Sequence, residues 1–246
     1  MTATPAWPPR SLPRLHVRSL LEPSASVELD SGQANYLGNV LRMAAGDQML
    51  LFDGRSGEWL GEVSAVARKR MTLRILRQTK PQEAVPDLWL AFAPVKKGRV
   101  DWLVEKAVEL GVARLIPVIT QRTIVDKLNL ARMEAHIIEA AEQCGRTAIA
   151  AISQPVKLTT FLADREADRL LYFANEQGGE SVQRSLRPGP ATILIGPEGG
   201  FTADEADAIS ASPNVIAIGL GPRILRAETA ALAAVTAWMA AAGDWQ

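Results

Sequence analysis

From residue 88 onward the sequence alternates strand-like apolar runs with helical patterns, and this alternation restricts the fold more than any other feature. In the helical patterns the apolar residues recur every three to four positions, as in helices that pack on a sheet. Repeated β–α–β order predicts a parallel sheet in an α/β domain, and such sheets bind ligands beyond the carboxyl ends of their strands. The predicted strands cover residues 88–93, 114–119, 170–174, 192–195 and 215–218, and the predicted helices cover 100–110, 130–144, 203–210 and 227–242.

The first 78 residues have a different pattern. Residues 33–42 have helical spacing, whereas the other apolar runs are short and are separated by turn signals such as Asp-Gly. A small β-barrel with one helix suits this pattern. The polar segment 79–87 carries two prolines and is a predicted linker, so we expect domains at residues 1–78 and 88–246. The predicted strands of the first domain cover residues 15–17, 27–29, 49–52, 58–66 and 71–76.

Charge is unevenly distributed along the chain. The formal net charge is zero, which argues against a uniformly basic nucleic-acid-binding protein. Residues 1–80, however, carry eleven Lys and Arg against seven Asp and Glu. This surplus indicates either an RNA-facing patch or a charged strand edge that blocks edge pairing. Its clustered members are Arg68, Lys69, Arg70, Arg74, Arg77 and Lys80.

Several function classes have no support in the sequence. The single cysteine, Cys144, cannot form an internal disulfide, which fits a reducing compartment, and no base for a nucleophilic cysteine is evident beside it. His16 and His136 are far apart and lack metal-ligand spacing, so we expect no metal. No apolar run has the length of a signal peptide or a membrane span. We therefore expect a cytoplasmic protein with no membrane partner.

The first segment with chemical character covers residues 192–205. A strand-like run enters Gly196-Pro-Glu-Gly-Gly200, and a helix follows whose start is marked by Thr202 and Glu205 in a capping-box arrangement. Glycines allow the backbone to approach a ligand closely, and a tight turn without any ligand is the alternative explanation. The G-x-G-x-x-G and P-loop patterns are absent, which disfavours nicotinamide and nucleoside triphosphates.

The second segment covers residues 218–231. A strand-like run enters a glycine turn, and a long helix then opens with two arginines, Arg223 and Arg226, followed by Glu228. The glutamate suits the positive end of a helix dipole, but the arginines oppose it and therefore indicate an anion or a partner. The helix is rich in alanine as far as Trp238. Such a surface suits packing within one subunit and dimerisation equally.

A third segment places basic residues where a strand ends and a helix begins. Lys96, Lys97 and Arg99 stand in this position, and Arg122 follows the next predicted strand. A phosphate group can dock at such a helix start, and a solvated helix end explains the same charges. Residues 142–146 end the following helix, with Gly145 suited to a C-terminal cap.

Together these segments resemble RsmE, the bacterial family of 16S ribosomal RNA uridine-N3 methyltransferases in the SPOUT class. The resemblance spans nearly the whole chain. It is most specific in two motifs that occur together, LIGPEGG at residues 194–200 and LGPRILRAETA at 220–230. Asn35 departs from the family, which often has histidine there. Further matches are YLGNVLR at 36–42, GD at 46–47, KKGR at 96–99, VEK at 104–106, ELG at 109–111 and EQCGR at 142–146.

The resemblance implies a PUA-like β-barrel that helps to hold RNA and a SPOUT domain with a C-terminal trefoil knot that binds S-adenosylmethionine. It also implies a homodimer with active sites near the interface. The implied substrate is uracil 1498 of 16S ribosomal RNA, in the assembled small ribosomal subunit. The implied cofactor-binding residues are Phe173, Ala174, Asn175, Glu176, Ile195, Gly196, Pro197, Glu198, Gly199, Gly200, Leu220, Gly221, Ile224, Leu225 and Thr229.

Methylation at uracil N3 sets a chemical requirement, because this nitrogen must lose its proton before it attacks a methyl group. A nearby arginine lowers the pKa of such an acid. We therefore expect Arg223 or Arg226 to stabilise the uridine anion or its phosphate, and Glu228 to hold an arginine or to accept the proton. The residues expected to bind RNA phosphates are Arg14, Lys96, Lys97, Arg99 and Arg122.

Two alternatives stay open. A SPOUT methyltransferase with another target, such as a ribose hydroxyl or transfer RNA, would keep the same cofactor loops, and mapping the modified nucleotide distinguishes it. A non-catalytic RNA-binding or assembly protein could retain a vestigial pocket. The two intact motifs disfavour this second alternative, and binding of S-adenosylmethionine would argue further against it.

Overall fold

A computed structural model of the protein describes residues 12–67, 70–125, 127–176 and 178–245, and it leaves out the side chain of Lys97. The chain forms two compact units. One comprises the chain up to Glu83 together with Gly145–Ala148, and the other comprises Ala84–Cys144 and the chain from Ile149 onward. The division after Glu83 falls inside the segment 79–87 that the sequence predicts as a linker. No sequence signal indicates that Gly145–Ala148 belongs with the first unit.

The described strands of the first unit form one mixed sheet in the order β1-β3-β4-β5-β2. β1 pairs with β3 in parallel and the other pairs are antiparallel. Register shifts interrupt the β4–β5 pair, and such irregularities bend a hairpin. The strands are β1 (Arg14–His16), β2 (Ser26–Glu28), β3 (Gln48–Phe52), β4 (Glu58–Ala67) and β5 (Arg70–Lys80).

One helical segment accompanies this sheet, as the sequence predicts. Helix α1 (Ser31–Asn35) continues into a π-helical turn (Tyr36–Val40). The Asp30 carboxylate caps α1 by accepting a hydrogen bond of 2.8 Å from the amide of Gln33. The apolar residues that face inward, including Leu37, form the core of the unit. The fold of the first unit is therefore a small, mostly antiparallel β-structure with one helical segment.

Arg14 lies inside the first unit and contacts other residues of that unit. Its Nε donates to the Glu58 carboxylate at 2.6 Å, and its Nη2 donates to the carbonyl of Arg146 at 2.7 Å. The guanidinium also lies 4.3 Å from the centre of the Phe52 ring, and the side chain is 11% exposed. This geometry supports a structural role for Arg14, and its contact with RNA phosphate stays a prediction.

The second unit contains a parallel sheet, which confirms the α/β prediction. The described strands follow the order β11-β13-β10-β12-β6-β7-β8, and β9 pairs with the far end of β7. Every pair is parallel. The strands are β6 (Leu88–Phe92), β7 (Arg114–Ile119), β8 (Ala151–Ile152), β9 (Val156–Lys157), β10 (Leu170–Ala174), β11 (Glu180–Ser181), β12 (Ala191–Ile195) and β13 (Val215–Gly219).

The helices of the second unit follow the predicted pattern, with two additions. The sequence did not indicate the short helices α4 and α5, nor the two-residue strands β8, β9 and β11. The described helices are α2 (Lys97–Glu109), α3 (Leu130–Cys144), α4 (Leu158–Ala163), α5 (Val182–Ser185), α6 (Ala203–Ser210) and α7 (Ala227–Ala242).

The alanine-rich helix α7 packs within its own unit. Its buried residues include Ala231, Ala234 and Trp238, and α7 contacts β6, β12 and α2. Small side chains allow this close approach; the sulfur-bearing side chain of Met239 lies against Gly111 at the end of α2. Packing inside one subunit therefore uses the alanine-rich face.

The order of the strands does not by itself show that the chain passes through a loop of its own backbone. The trefoil knot therefore stays a prediction.

Arg169 precedes β10 and lies at the amino ends of the strands. Its buried guanidinium forms two ion pairs there. It donates to the carboxylates of Asp87 at 2.6 Å and Glu166 at 2.8 Å, and it lies 3.7 Å from the centre of the Trp89 ring. Only 3% of its side chain is exposed. We expect Arg169→Ala to lower the free energy of unfolding by about 2 kcal/mol, because the Trp89 ring loses its buried contact and the carbonyls of Asp87 and Ala191 lose their donor. Urea unfolding measures this loss; Arg169→Lys is the matched control, and an unchanged midpoint for the alanine variant would contradict the expectation.

Candidate active site

A cavity of about 330 Å³ opens at the carboxyl ends of three neighbouring parallel strands, β10, β12 and β13. The loops that follow these strands form its walls, and the first turn of α7 completes them. A ligand site is expected at this edge of an α/β sheet, and the volume is that of a small-molecule site. The fold therefore places a cavity where the sequence predicts cofactor binding.

The structure brings most of the predicted cofactor residues together in this cavity. Thirteen of the fifteen line it, and only Gly199 and Thr229 do not. Three segments that are distant in sequence thus share one cavity. Sequence reasoning missed six lining residues, although each lies inside a predicted segment or within two residues of one: Gly178, Phe201, Ala206, Pro222, Ala227 and Ala230.

The glycine loop, residues 196–201, has two glycines, Gly196 and Gly200, at which an added Cβ would come too close to a neighbouring side chain. Gly200 has a φ of +67°, and a Cβ on it would lie 2.2 Å from the Glu176 carboxylate oxygen Oε1. A Cβ on Gly196 would lie 2.7 Å from the Phe201 ring, which in turn packs edge-on against Phe173 at a centroid distance of 5.2 Å. The glycines therefore let the backbone of the loop lie close to the cavity wall.

The end of the glycine loop is fixed at the start of α6. Thr202 and Glu205 form the capping box that the sequence predicts: the Thr202 hydroxyl accepts from the Glu205 amide at 3.3 Å, and the Glu205 carboxylate accepts from the Thr202 amide at 3.0 Å. The other carboxylate oxygen of Glu205 accepts from the Gln121 amide at 2.8 Å. The loop is thereby attached to the chain that leaves β7.

The cavity combines apolar walls with charges of both signs. Two carboxylates, Glu176 and Glu198, and two guanidinium groups, Arg223 and Arg226, line it. Ile224 also lines it and is 91% exposed, which is unusual for a large apolar side chain. Such a cavity suits a ligand with an apolar flat part and a positive charge, next to a second, anionic molecule. The main apolar lining residues are Phe173, Ile195, Phe201, Leu220 and Leu225.

The three predicted catalytic residues differ in their surroundings. Arg223 and Arg226 are exposed at the cavity, whereas Glu228 is buried and does not line it. The Oε1 of Glu228 lies 3.6 Å from the Nε of Arg99, and its Oε2 has no hydrogen-bond partner among the residues that the structure describes. Of the two roles considered for Glu228, this geometry favours holding an arginine, and that arginine is Arg99.

Two of the arginines that are predicted to bind RNA form contacts with the glycine loop. Arg99 lies 3.4 Å from the Glu198 carboxylate, and the Nη1 of Arg122 donates to the carbonyls of Gly199 at 2.5 Å and Phe201 at 3.3 Å. Lys96 is exposed at the start of α2, and the side chain of Lys97 lies outside the described structure. The RNA contacts of these residues stay predictions.

Part of the basic surplus in the first unit forms pairs between strands. Arg74 on β5 donates to Glu62 on β4 at 3.0 Å, and Arg70 lies 3.5 Å from Glu28 on β2. Since β5 lies between β4 and β2, these charges do not mark an outer edge of the sheet. The cluster members Arg68 and Lys69 lie outside the described residues.

Within residues 12–67, 70–125, 127–176 and 178–245, no three or more His, Cys, Asp or Glu side chains are grouped as metal ligands. In the same ranges, no helix is both long enough and apolar enough to cross a membrane.

Sequence comparison now identifies the family. The profile described as RNA methyltransferase domain matches residues 81–239, and the profile described as RNA methyltransferase PUA domain matches residues 29–76. The ribosomal RNA small subunit methyltransferase E of Rickettsia conorii is 32% identical over 228 residues, which are 90% of this chain and 93% of that protein. The chain belongs to this family. The same enzyme of Bacillus subtilis is 27% identical, over 88% of this chain and 91% of the relative.

A solved structure of the family has the same fold. The ribosomal RNA small subunit methyltransferase E of Neisseria gonorrhoeae, crystallised with bound S-adenosylmethionine, is 30% identical. It superposes with a TM-score of 0.86 over 96% of this chain and 100% of that chain. The predicted PUA-like domain and the predicted SPOUT-type α/β domain are thereby confirmed.

Proposed function

We propose that this protein transfers the methyl group of S-adenosylmethionine to N3 of one uridine of 16S ribosomal RNA, uracil 1498. One observation carries the proposal: the cavity at the ends of β10, β12 and β13 has Arg223 and Arg226 among its lining residues in a methyltransferase fold. A cofactor cavity with positive charge at hand suits a reaction in which an RNA base must become anionic.

The residues of the cavity fit S-adenosylmethionine. The apolar walls suit an adenine ring, the backbone of the glycine loop allows close approach, and the carboxylates of Glu176 and Glu198 suit a positively charged ligand. The relative from Neisseria gonorrhoeae, crystallised with this cofactor, supports the same ligand here. When bound, S-adenosylmethionine supplies a methyl group activated by a positive sulfur.

The protein's part in the reaction is to favour the deprotonated base. Uracil N3 carries a proton at neutral pH, and a guanidinium within about 4–6 Å lowers the pKa of such an acid. Arg223 and Arg226 are exposed at the cavity and are free of ion pairs within the described residues, so they can face the uridine. Glu228 lies behind the cavity wall beside Arg99, whereas Glu176 and Glu198 line the cavity, so the proton leaves to one of these two carboxylates or to solvent.

We also propose that the substrate is the assembled small ribosomal subunit, with the PUA-like unit helping to hold the RNA, and that the protein acts as a homodimer. Exposed apolar side chains support self-association: Trp102 on α2 is 44% exposed and Ile224 is 91% exposed. Light scattering should give twice the 26.5 kDa mass of one chain. A mass of one chain at micromolar concentration would contradict the homodimer.

The reaction is tested with isotope-labelled S-adenosylmethionine and small ribosomal subunits that lack the host's N3-uridine modification. We expect one N3-methyluridine per subunit, located at uracil 1498 by mass spectrometry of nuclease fragments. Subunits that already carry the modification are the control and should accept no label. Label on a ribose, at another base or only on transfer RNA would overturn the proposed target, and absence of cofactor binding would overturn the proposed activity.

A further inference from the structure

The glycine loop is held from outside the cavity by two arginines from different elements. Arg122 follows β7, and Arg99 lies in the first turn of α2. Neither of them lines the cavity. Their positions in sequence suggest phosphate binding, but in the structure both side chains contact the loop that forms the cavity wall.

Arg122 binds the loop on both sides of Gly200. Its Nη1 donates to the carbonyl of Gly199 at 2.5 Å and to that of Phe201 at 3.3 Å. The aliphatic part of the side chain packs over the loop, since a Cβ on Gly199 would lie at an ordinary contact distance of 3.4 Å from the Cδ of Arg122. The two carbonyls flank the residue of the loop that has the left-handed conformation, so this contact fixes the direction of the backbone there.

Arg122 itself projects from an ordered turn. The amide of Thr120 donates to the Thr123 hydroxyl at 2.9 Å, the two hydroxyl groups are 2.9 Å apart, and the amide of Thr123 donates to the carbonyl of Thr120 at 3.2 Å. The neighbouring Gln121 amide donates to the capping carboxylate of Glu205. The turn after β7 is thus joined to the glycine loop at three points, Gly199, Phe201 and Glu205.

Arg99 joins the same loop to the start of α7. Its guanidinium lies 3.4 Å from the Glu198 carboxylate, which lines the cavity, and 3.6 Å from the carboxylate of Glu228 in the first turn of α7. The side chain of Glu228 is 9% exposed, and a buried carboxylate requires a positive partner. Arg99 therefore connects two walls of the cavity through a shared positive charge.

We propose that Arg122 and Arg99 are positioning residues that hold the glycine loop in the shape that binds the cofactor. This inference rests on the proposed binding of S-adenosylmethionine in the cavity. A positioning role and a phosphate-binding role predict different results. Loss of a positioning residue weakens cofactor binding, whereas loss of a phosphate contact weakens RNA binding and reduces the salt dependence of RNA binding.

The first measurement is the dissociation constant for S-adenosylmethionine by titration calorimetry. We expect Arg122→Ala and Arg99→Gln to raise it about tenfold, because charged hydrogen bonds that hold the loop are lost. Arg122→Lys keeps a positive donor and should restore most of the affinity. Arg184→Ala is the matched control, since Arg184 is exposed on α5 and does not line the cavity. If both loop variants bind the cofactor with unchanged affinity and the wild-type protein binds it normally, the inference about Arg122 and Arg99 fails while the proposed function stands.

The second measurement needs no ligand. Hydrogen–deuterium exchange of the amides of residues 198–202 should be faster in Arg122→Ala than in the wild type and in Arg184→Ala, at a temperature where all three are folded. RNA binding by the same variants should keep its salt dependence. If exchange is unchanged and the slope of log affinity against log salt falls by about one, Arg122 is a phosphate contact and the inference fails. If the wild type fails to bind S-adenosylmethionine, the proposed function fails, and the exchange data still decide whether Arg122 holds the loop.

Discussion

Arg226→Ala should lower kcat for methyl transfer about a hundredfold or more, with affinity for S-adenosylmethionine changed by no more than about threefold. Arg226 precedes α7, lines the cavity and is exposed. Its carbonyl accepts the 2.8 Å hydrogen bond from the Ala230 amide, which alanine at residue 226 retains. The substitution therefore removes the guanidinium without removing the start of the helix. Single-turnover transfer to unmodified small subunits measures the loss directly.

The pH dependence separates stabilisation of the uridine anion from simple binding of phosphate. An arginine near uracil N3 lowers the pKa of that nitrogen, so removing it raises the pKa and moves the rising limb of the rate profile to higher pH. A phosphate contact predicts a higher KM and an unshifted profile. Arg184→Ala is the matched control, because Arg184 is exposed on α5 and does not line the cavity. Arg223→Ala tests whether the other arginine of the cavity shares the role. An unchanged kcat in folded Arg226→Ala would reassign the role to another group.

The sequence predicted the long elements of the second unit because their patterns are local. The buried strand β12 consists of five consecutive buried residues, and α6 begins at the Thr202 capping box that the residue spacing indicates. The carboxyl ends of parallel strands meet at one edge of a sheet, so predicting β10, β12 and β13 also predicted where the cavity lies. The local patterns therefore predicted the location of the site, and the resemblance to the RsmE family implied most of the residues that line it.

The groups that Arg99 and Arg122 contact could not be predicted in the same way, although holding an arginine was one of the two roles expected for Glu228. Local spacing shows that a charge stands at a helix start, but the partner of that charge is set by long-range packing. Arg122 binds the carbonyl of Gly199, 77 residues away, and Arg99 binds Glu198, 99 residues away. Backbone carbonyls have no sequence signal at all. For the same reason the two-residue strands β8 and β9, whose pairing with β7 defines them, had no local pattern that could reveal them.

Gly200→Ala should weaken binding of S-adenosylmethionine about a hundredfold and lower the thermal unfolding midpoint by only about 2–8 °C. Two separate costs act at this position. A φ of +67° costs an alanine about 1–2 kcal/mol, and its Cβ would lie 2.2 Å from the Glu176 carboxylate. The loop or Glu176 must then move, and both line the cavity. Because the change lies in a surface loop, the core of the unit is preserved.

Two neighbouring glycines separate these costs. Gly199→Ala meets only ordinary contacts with Arg122 and has no positive φ, so it should bind the cofactor nearly as the wild type does. Gly221 has a φ of +99°, but a Cβ there would lie in open space. Gly221→Ala therefore shows the effect of backbone strain without a clash, and its loss of cofactor affinity should be intermediate. Calorimetric titration of the three variants should rank Gly200→Ala weakest. Adding Glu176→Ala to Gly200→Ala removes the clash; if the double variant binds no better than the worse single variant, the contact with Glu176 is not what excludes a side chain at residue 200.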